Sequence, residues 1–130
     1  MKLSIMKTST ALAAVLAVFV TSLPATDANA ADIRVKCETK ANRSKVSVDG
    51  SNLVAGNYIA KIISGSHTKK SGPKSTVGDE VEFDFDSDPA NVAAGATRIS
   101  RTFIQGQVTG QLINEQGFTV AQATRACRSK

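Results

Sequence analysis

The chain of 130 residues has no tryptophan, one tyrosine, one histidine and two cysteines, and each scarcity closes off a class of function. The single histidine, His67, sits among lysines, serines and glycines with no nucleophile motif beside it. A Ser-His-Asp or Cys-His relay therefore has no sequence support, and the plainer reading of His67 is a solvated loop residue. The two cysteines show neither a Cys-x-x-Cys spacing nor a neighbouring histidine, which excludes the usual thiol redox and zinc patterns. Nucleic acid is a poor partner for a chain whose aromatics after residue 31 are only Tyr58, Phe83, Phe85, Phe103 and Phe118. Most of these fall at inward-reading strand positions, away from the lysines, so they offer no stacking platform. The apolar run over residues 11 to 20 is too short for a membrane span, which needs about twenty residues. After residue 30 there is no internal repeat, no low-complexity tract and little helical spacing.

What is present begins with an N-terminal leader. Lys2 and Lys7 precede the apolar run, and further on Ala28-Asn29-Ala30 offers the Ala-x-Ala pattern that a signal peptidase accepts. Residues 1–30 are thus expected to be a cleaved signal peptide, and residues 31–130 an exported domain of periplasmic or extracellular location. In such an oxidising compartment Cys37 and Cys127 are expected to form a structural disulfide. Ninety positions separate them. Closing so long a loop restricts the unfolded chain by roughly 4–5 kcal/mol on the chain-entropy account.

The sign of charge is unevenly distributed. After residue 30 there are 14 basic and 10 acidic residues, and Asp79, Glu80, Glu82, Asp84, Asp86 and Asp88 lie within one stretch of ten. One acidic face against a broadly basic remainder favours oriented association, with a charged partner or with a second copy. The plainer reading is a solvated surface that maintains solubility.

Period-two alternation runs through the expected domain. Ile33, Val35 and Cys37 alternate with Arg34, Lys36 and Glu38, describing a strand with a basic outer face. Val46 and Val48 continue the pattern towards a turn at Asp49-Gly50. Residues 58 to 63 are apolar on both parities except at Lys61, which reads as a central strand covered on both sides. Val81, Phe83 and Phe85 oppose Glu82, Asp84 and Asp86 in the cleanest strand signal of the chain. Residues 98 to 104, 107 to 113 and 118 to 127 supply three more strands. Gly110 marks a bulge or a close backbone approach, and Asn114-Glu115-Gln116-Gly117 a hairpin loop. About seven short strands with turn signals between them predict an all-β fold, a single small antiparallel β-sandwich.

The segment Leu53, Val54, Ala55, Gly56, Asn57, Tyr58 resembles the tyrosine corner of immunoglobulin-like and fibronectin-like sandwiches. That resemblance implies a hydroxyl bonded back to upstream backbone. It departs from those families in position, because Tyr58 follows only two of the expected strands, and no function is carried over from them.

Two longer connections, residues 64 to 76 and 87 to 97, are the first places to look for a site. On the acidic strand, Glu82, Asp84 and Asp86, with Asp88 beyond it, could present oxygens to calcium, although the fixed spacing of a calcium loop is missing. The plainer reading is neutralisation by cations on a neighbouring strand. A glycosidase pair is rejected, since one flat face holds its acids in like environments. Lys69, Lys70 and Lys74 are the positive counterpart, suited to an anionic group on a glycan or protein partner. Asn42-Arg43-Ser44 matches a glycosylation sequon, read as chance because the leader has bacterial character. Together these features predict a non-enzymatic binding or interaction module without an obligatory cofactor. The rivals are a self-associating structural protein of the cell envelope and a calcium-stabilised extracellular domain.

Overall fold

The computed structural model describes residues 30–130, so the leader expected over residues 1–30 lies, except for Ala30, outside the described residues. Among the described residues the chain forms ten strands and one short helix. In order these are β1 (Asp32–Lys40), β2 (Arg43–Ser51), β3 (Asn57–Ser64), β4 (His67–Lys70), β5 (Lys74–Ser75), β6 (Val81–Asp86), α1 (Pro89–Ala93), β7 (Thr97–Arg98), β8 (Gln107–Asn114), β9 (Thr119–Ala126) and β10 (Arg128–Ser129). One sheet runs β9-β8-β3-β4, with β5 also paired to β3; the other runs β10-β1-β2-β6-β7. The fold is an all-β sandwich. Its pairing is antiparallel except at two short edges, where β10 joins β1 and β7 joins β6 in parallel.

Alternation dictates the core. Val35 and Cys37 from β1, Val46 and Val48 from β2, and Val81, Phe83 and Phe85 from β6 face Tyr58, Ala60 and Ile62 of β3 and Val108 and Leu112 of β8. Two glycines let the sheets approach. A Cβ on Gly110 would stand 2.7 Å from Val35 Cγ2 and 3.2 Å from Val48 Cγ2, and one on Gly50 would run into Leu112 Cδ1. Gly110 therefore marks the close approach; the bulge lies in its partner β9, between Thr119 and Ala121.

Several expectations are revised. Asp49 and Gly50 continue β2, and the chain turns one residue after its end, where Asn52 takes a φ of 56°. Asparagine tolerates that left-handed conformation better than most residues. β3 is central within its sheet but covered on one face only, with Ile59, Lys61 and Ile63 half-buried on the other. Phe118, expected to begin the last strand, lies just before it and is 67% exposed. Residues 64 to 76 are no open loop, because β4 and β5 run back along β3 as one edge interrupted at Ser71, Gly72 and Pro73. There the Ala60 amide donates to Ser71 Oγ at 2.8 Å and the Ser71 amide to the Ala60 carbonyl at 2.8 Å. The extra residue makes a bulge, and the proline leaves the edge without one ladder donor.

The hairpin at residues 114 to 117 forms as expected. Asn114 Oδ1 accepts from the amides of Gln116 and Phe118, and Gly117 takes the positive φ of 88° that closes the loop. The Tyr58 hydroxyl donates to the Val54 carbonyl at 2.7 Å, so the local bond of a tyrosine corner is made where the chain passes from β2 in one sheet to β3 in the other.

Cys37 and Cys127 are joined, with Cα atoms 4.8 Å apart. Cys127 stands where the chain leaves β9 for β10, so the bond fastens one lateral edge of the sandwich. β9 packs beside β1 on that side. Replacing both cysteines with serine is expected to lower the unfolding free energy by roughly 4 kcal/mol, measured by urea denaturation. Gly110→Ala is expected to cost about 1–3 kcal/mol through overpacking against two β-branched side chains, read in the same titration.

Candidate functional site

The site is built by a segment that breaks the alternation. As a strand, residues 98 to 104 would have sent Ile99, Arg101 and Phe103 to one face and buried an arginine. Instead only Thr97 and Arg98 pair, and the chain then crosses the end of the sandwich to reach β8. Ile99 and Phe103 are 4% and 5% exposed and plug the core, while Arg98 and Arg101 point to solvent. Buried backbone in an irregular segment needs partners. Ser44 Oγ donates to the Arg101 carbonyl at 2.7 Å, and the Gln105 amide donates to Ser64 Oγ at 2.7 Å. Both serines are buried at inward strand positions. His67 Nδ1 lies 2.8 Å from the Phe103 carbonyl, which can only accept, so this nitrogen carries the proton. The two rings stand 5.6 Å apart. His67 is thus half-buried and fastened to the crossing segment.

Between this segment and β4 lies an open cleft of about 1090 Å³. It lies at the end of the sandwich where β1 turns into β2, towards the side away from the disulfide, where β4 and β7 form the free margins of the two sheets. Ile99 and Phe103 supply apolar floor, and Lys69, Arg98 and Arg101 supply positive charge. No ion pair engages these three cations among the described residues. The acid on the lining is Asp88, whose side chain accepts from the Ala90 amide at 2.9 Å and caps α1.

Arg43, also on the lining, is held elsewhere. Its Nε and Nη2 donate to Asp86 at 3.0 and 2.6 Å, a bidentate pair in which the Asp86 side chain is 2% exposed. Asp86 also accepts from the Asp88 amide and Asn91 Nδ2, each at 2.9 Å. Burial alone would push this carboxyl up. The hydrogen bond from Arg43, supported by those from Asp88 and Asn91, outweighs burial and holds it at about 2.

The acidic residues singled out in the sequence do not converge. Glu82 and Asp84 lie exposed on the outer face of β6, where Asp84 accepts from Ser47 Oγ at 3.1 Å. Asp86 is engaged by Arg43, and Asp88 caps α1. Asp49, read in the sequence as a turn residue, joins the outer face opposite Glu82. Burial and the nearby Glu82 and Asp84 raise its carboxyl above the ordinary value. Among the described residues no group of three or more His, Cys, Asp or Glu side chains is placed to hold a metal ion.

The three lysines also separate, because successive strand residues face opposite ways. Lys69 pairs with inward Ile62 and lines the cleft, while Lys70 stands opposite Lys61 on the outer face. Lys74 donates to the Glu82 carbonyl at 2.9 Å and lies 5.7 Å from the Phe83 ring centroid. Arg98, Arg101 and the apolar floor were missed, and the signal was available: Arg101 falls on the same parity as Ile99 and Phe103, which is incompatible with a strand over one core.

Among the described residues no helix is long and apolar enough to cross a membrane. No known protein family and no characterised protein matches this chain.

The Asp86 pair has a defined pH signature. Its carboxyl is ordinary, near 3.8, in the unfolded chain and lower in the fold. The pair's stabilisation is therefore complete above that value and is lost as pH falls towards 2. Asp86→Asn is expected to cost on the order of 3 kcal/mol at pH 7 by leaving Arg43 without its counter-charge. It should also flatten the stability profile between pH 4 and 2, as followed by urea unfolding across that range.

Proposed function

We propose that this protein is an exported, disulfide-linked binding module, not an enzyme, and that the cleft between β4 and residues 98 to 103 receives an acidic partner. The observation that carries the proposal is the cleft's lining: Lys69, Arg98 and Arg101, without carboxylate partners among the described residues, stand around the apolar floor of Ile99 and Phe103. Exposed cationic heads over a buried apolar floor suit a ligand that brings both negative charge and apolar surface. The lining is held by a framework bonded to both sheets, through Ser44 on one and Ser64 and His67 on the other. The role of His67 follows from this arrangement. Its Nδ1–H is committed to the Phe103 carbonyl, and its work is to fix the cleft floor. The Cys37–Cys127 disulfide supports an oxidising destination.

Two defined probes test the reading, a glutamate-rich peptide carrying hydrophobic residues and a uronate hexasaccharide, each titrated by calorimetry at low salt. At least one is expected to bind, with an affinity that falls as ionic strength rises. Lys69→Glu with Arg98→Glu should weaken binding by at least tenfold, whereas Lys70→Glu, on the outer face, should leave it within about twofold. Binding that ignores the cleft substitutions, or no binding of either probe, would overturn the proposal.

A further inference from the structure

We infer that the acidic partner of the cleft is the opposite end of a second copy of this chain, giving head-to-tail association. The inference rests on the cleft being a binding surface and names what occupies it. Strand register assigns residues to the two ends. Asp32 pairs with Ser51 and Tyr58 with Asn114, so the loops at residues 52 to 56, 77 to 80 and 115 to 118 share the end where β1 begins. Lys40 pairs with Arg43 and Ser64 with His67, which puts the cleft at the other end.

Two independent properties separate along this axis. Asp32, Asp79, Glu80 and Glu115 lie on the first end, with Asp49 and Glu82 just behind and Arg34 and Lys74 as the opposing charges. Arg98, Arg101 and Lys69 lie at the second, with Asp88, which caps α1, as the opposing charge on the cleft lining. Exposed apolar bulk follows the acids. Val54, Val77 and Phe118 are 77%, 84% and 67% exposed, and the register places all three in the loops of the acidic end. Exposed side chains of this size collected at one end mark an interaction surface. The cleft offers the complement of both properties, cations around a floor of Ile99 and Phe103.

The two surfaces lie on opposite ends of one molecule, so the contact is heterologous. Each copy that uses its cleft leaves its acidic end free for the next, and a chain of copies grows unless the rotation between neighbours closes a ring. A small acidic ligand would use the cleft alone and leave the apolar loops uncovered.

The test uses the disulfide-bonded protein from residue 31 onward and sedimentation velocity at increasing concentration. The parent protein is expected to form dimers and longer species at low salt, shifting towards monomer at 0.5 M salt, a concentration chosen so that the screening length falls to about 4 Å. Val77→Asp with Phe118→Ser removes the apolar loops, and Lys69→Glu with Arg98→Glu reverses the cleft. Each double variant should be monomeric at concentrations where the parent associates. Mixed in equal amounts they should form a heterodimer and nothing larger, because each contributes its one intact surface. Circular dichroism confirms that both variants are folded. A parent that stays monomeric, variants that associate as the parent does, or a mixture that stays monomeric would overturn head-to-tail association. If the calorimetric probes still bind the cleft in that case, the binding reading stands without it.

Discussion

Two buried hydroxyls govern the end of this sandwich. The chain must pass from one sheet to the other across the top of the core, and an irregular crossing would bury backbone groups without partners. Ser44 and Ser64, at inward positions where valine or isoleucine would otherwise suit, provide those partners from opposite sheets. With the backbone so fixed, Ile99 and Phe103 point down into the core and the arginines between and before them point out. The cleft is thus a by-product of hydrogen-bond satisfaction, and its chemistry follows from which residues the turn leaves outside.

The two lateral edges of the sandwich differ in kind. On one, the sheets are fastened by the Cys37–Cys127 bond, and the chain beyond it continues as β10 alongside β1, where Lys130 meets Glu38 at 3.1 Å. On the other, a bulged edge with a proline faces a two-residue strand, and the gap between them opens into the cleft. The Arg43–Asp86 pair, buried on its carboxylate side, stands at the junction of the open edge with the core, bracing the start of β2 against the end of β6. Rigidity at the closed edge and access at the open one divide the molecule between framework and surface.

Most of the fold was legible because alternation reports directly on burial. β1, β2, β6 and β8 lie where their inward valines, phenylalanines and leucine put them, and the disulfide followed from compartment and count. Elements decided by non-local partners were less readable. Residues 67 to 70 carry little hydrophobicity and become a strand because β3 offers them an edge. Asp49-Gly50 has turn chemistry, yet the glycine is needed where Leu112 crowds the backbone. The candidate site was half legible. Both long connections border the cleft, but parity splits the lysine cluster, and Asp86, seen as one of four similar acids, is set apart by its own burial and by a half-buried arginine forty-three positions upstream.

The placement of Cys127 bears on the order of events during folding. A chain delivered from its N terminus presents Cys37 ninety residues before its partner. β1 and β2 are joined by a short reverse turn and can zip locally, on the microsecond scale of hairpins. That hairpin places Cys37 on the face that will become core, where it waits as a reduced thiol. The packing of β9 against β1 is what holds the second sulfur beside the first, so the bond and the docking of the two layers at this edge reinforce each other.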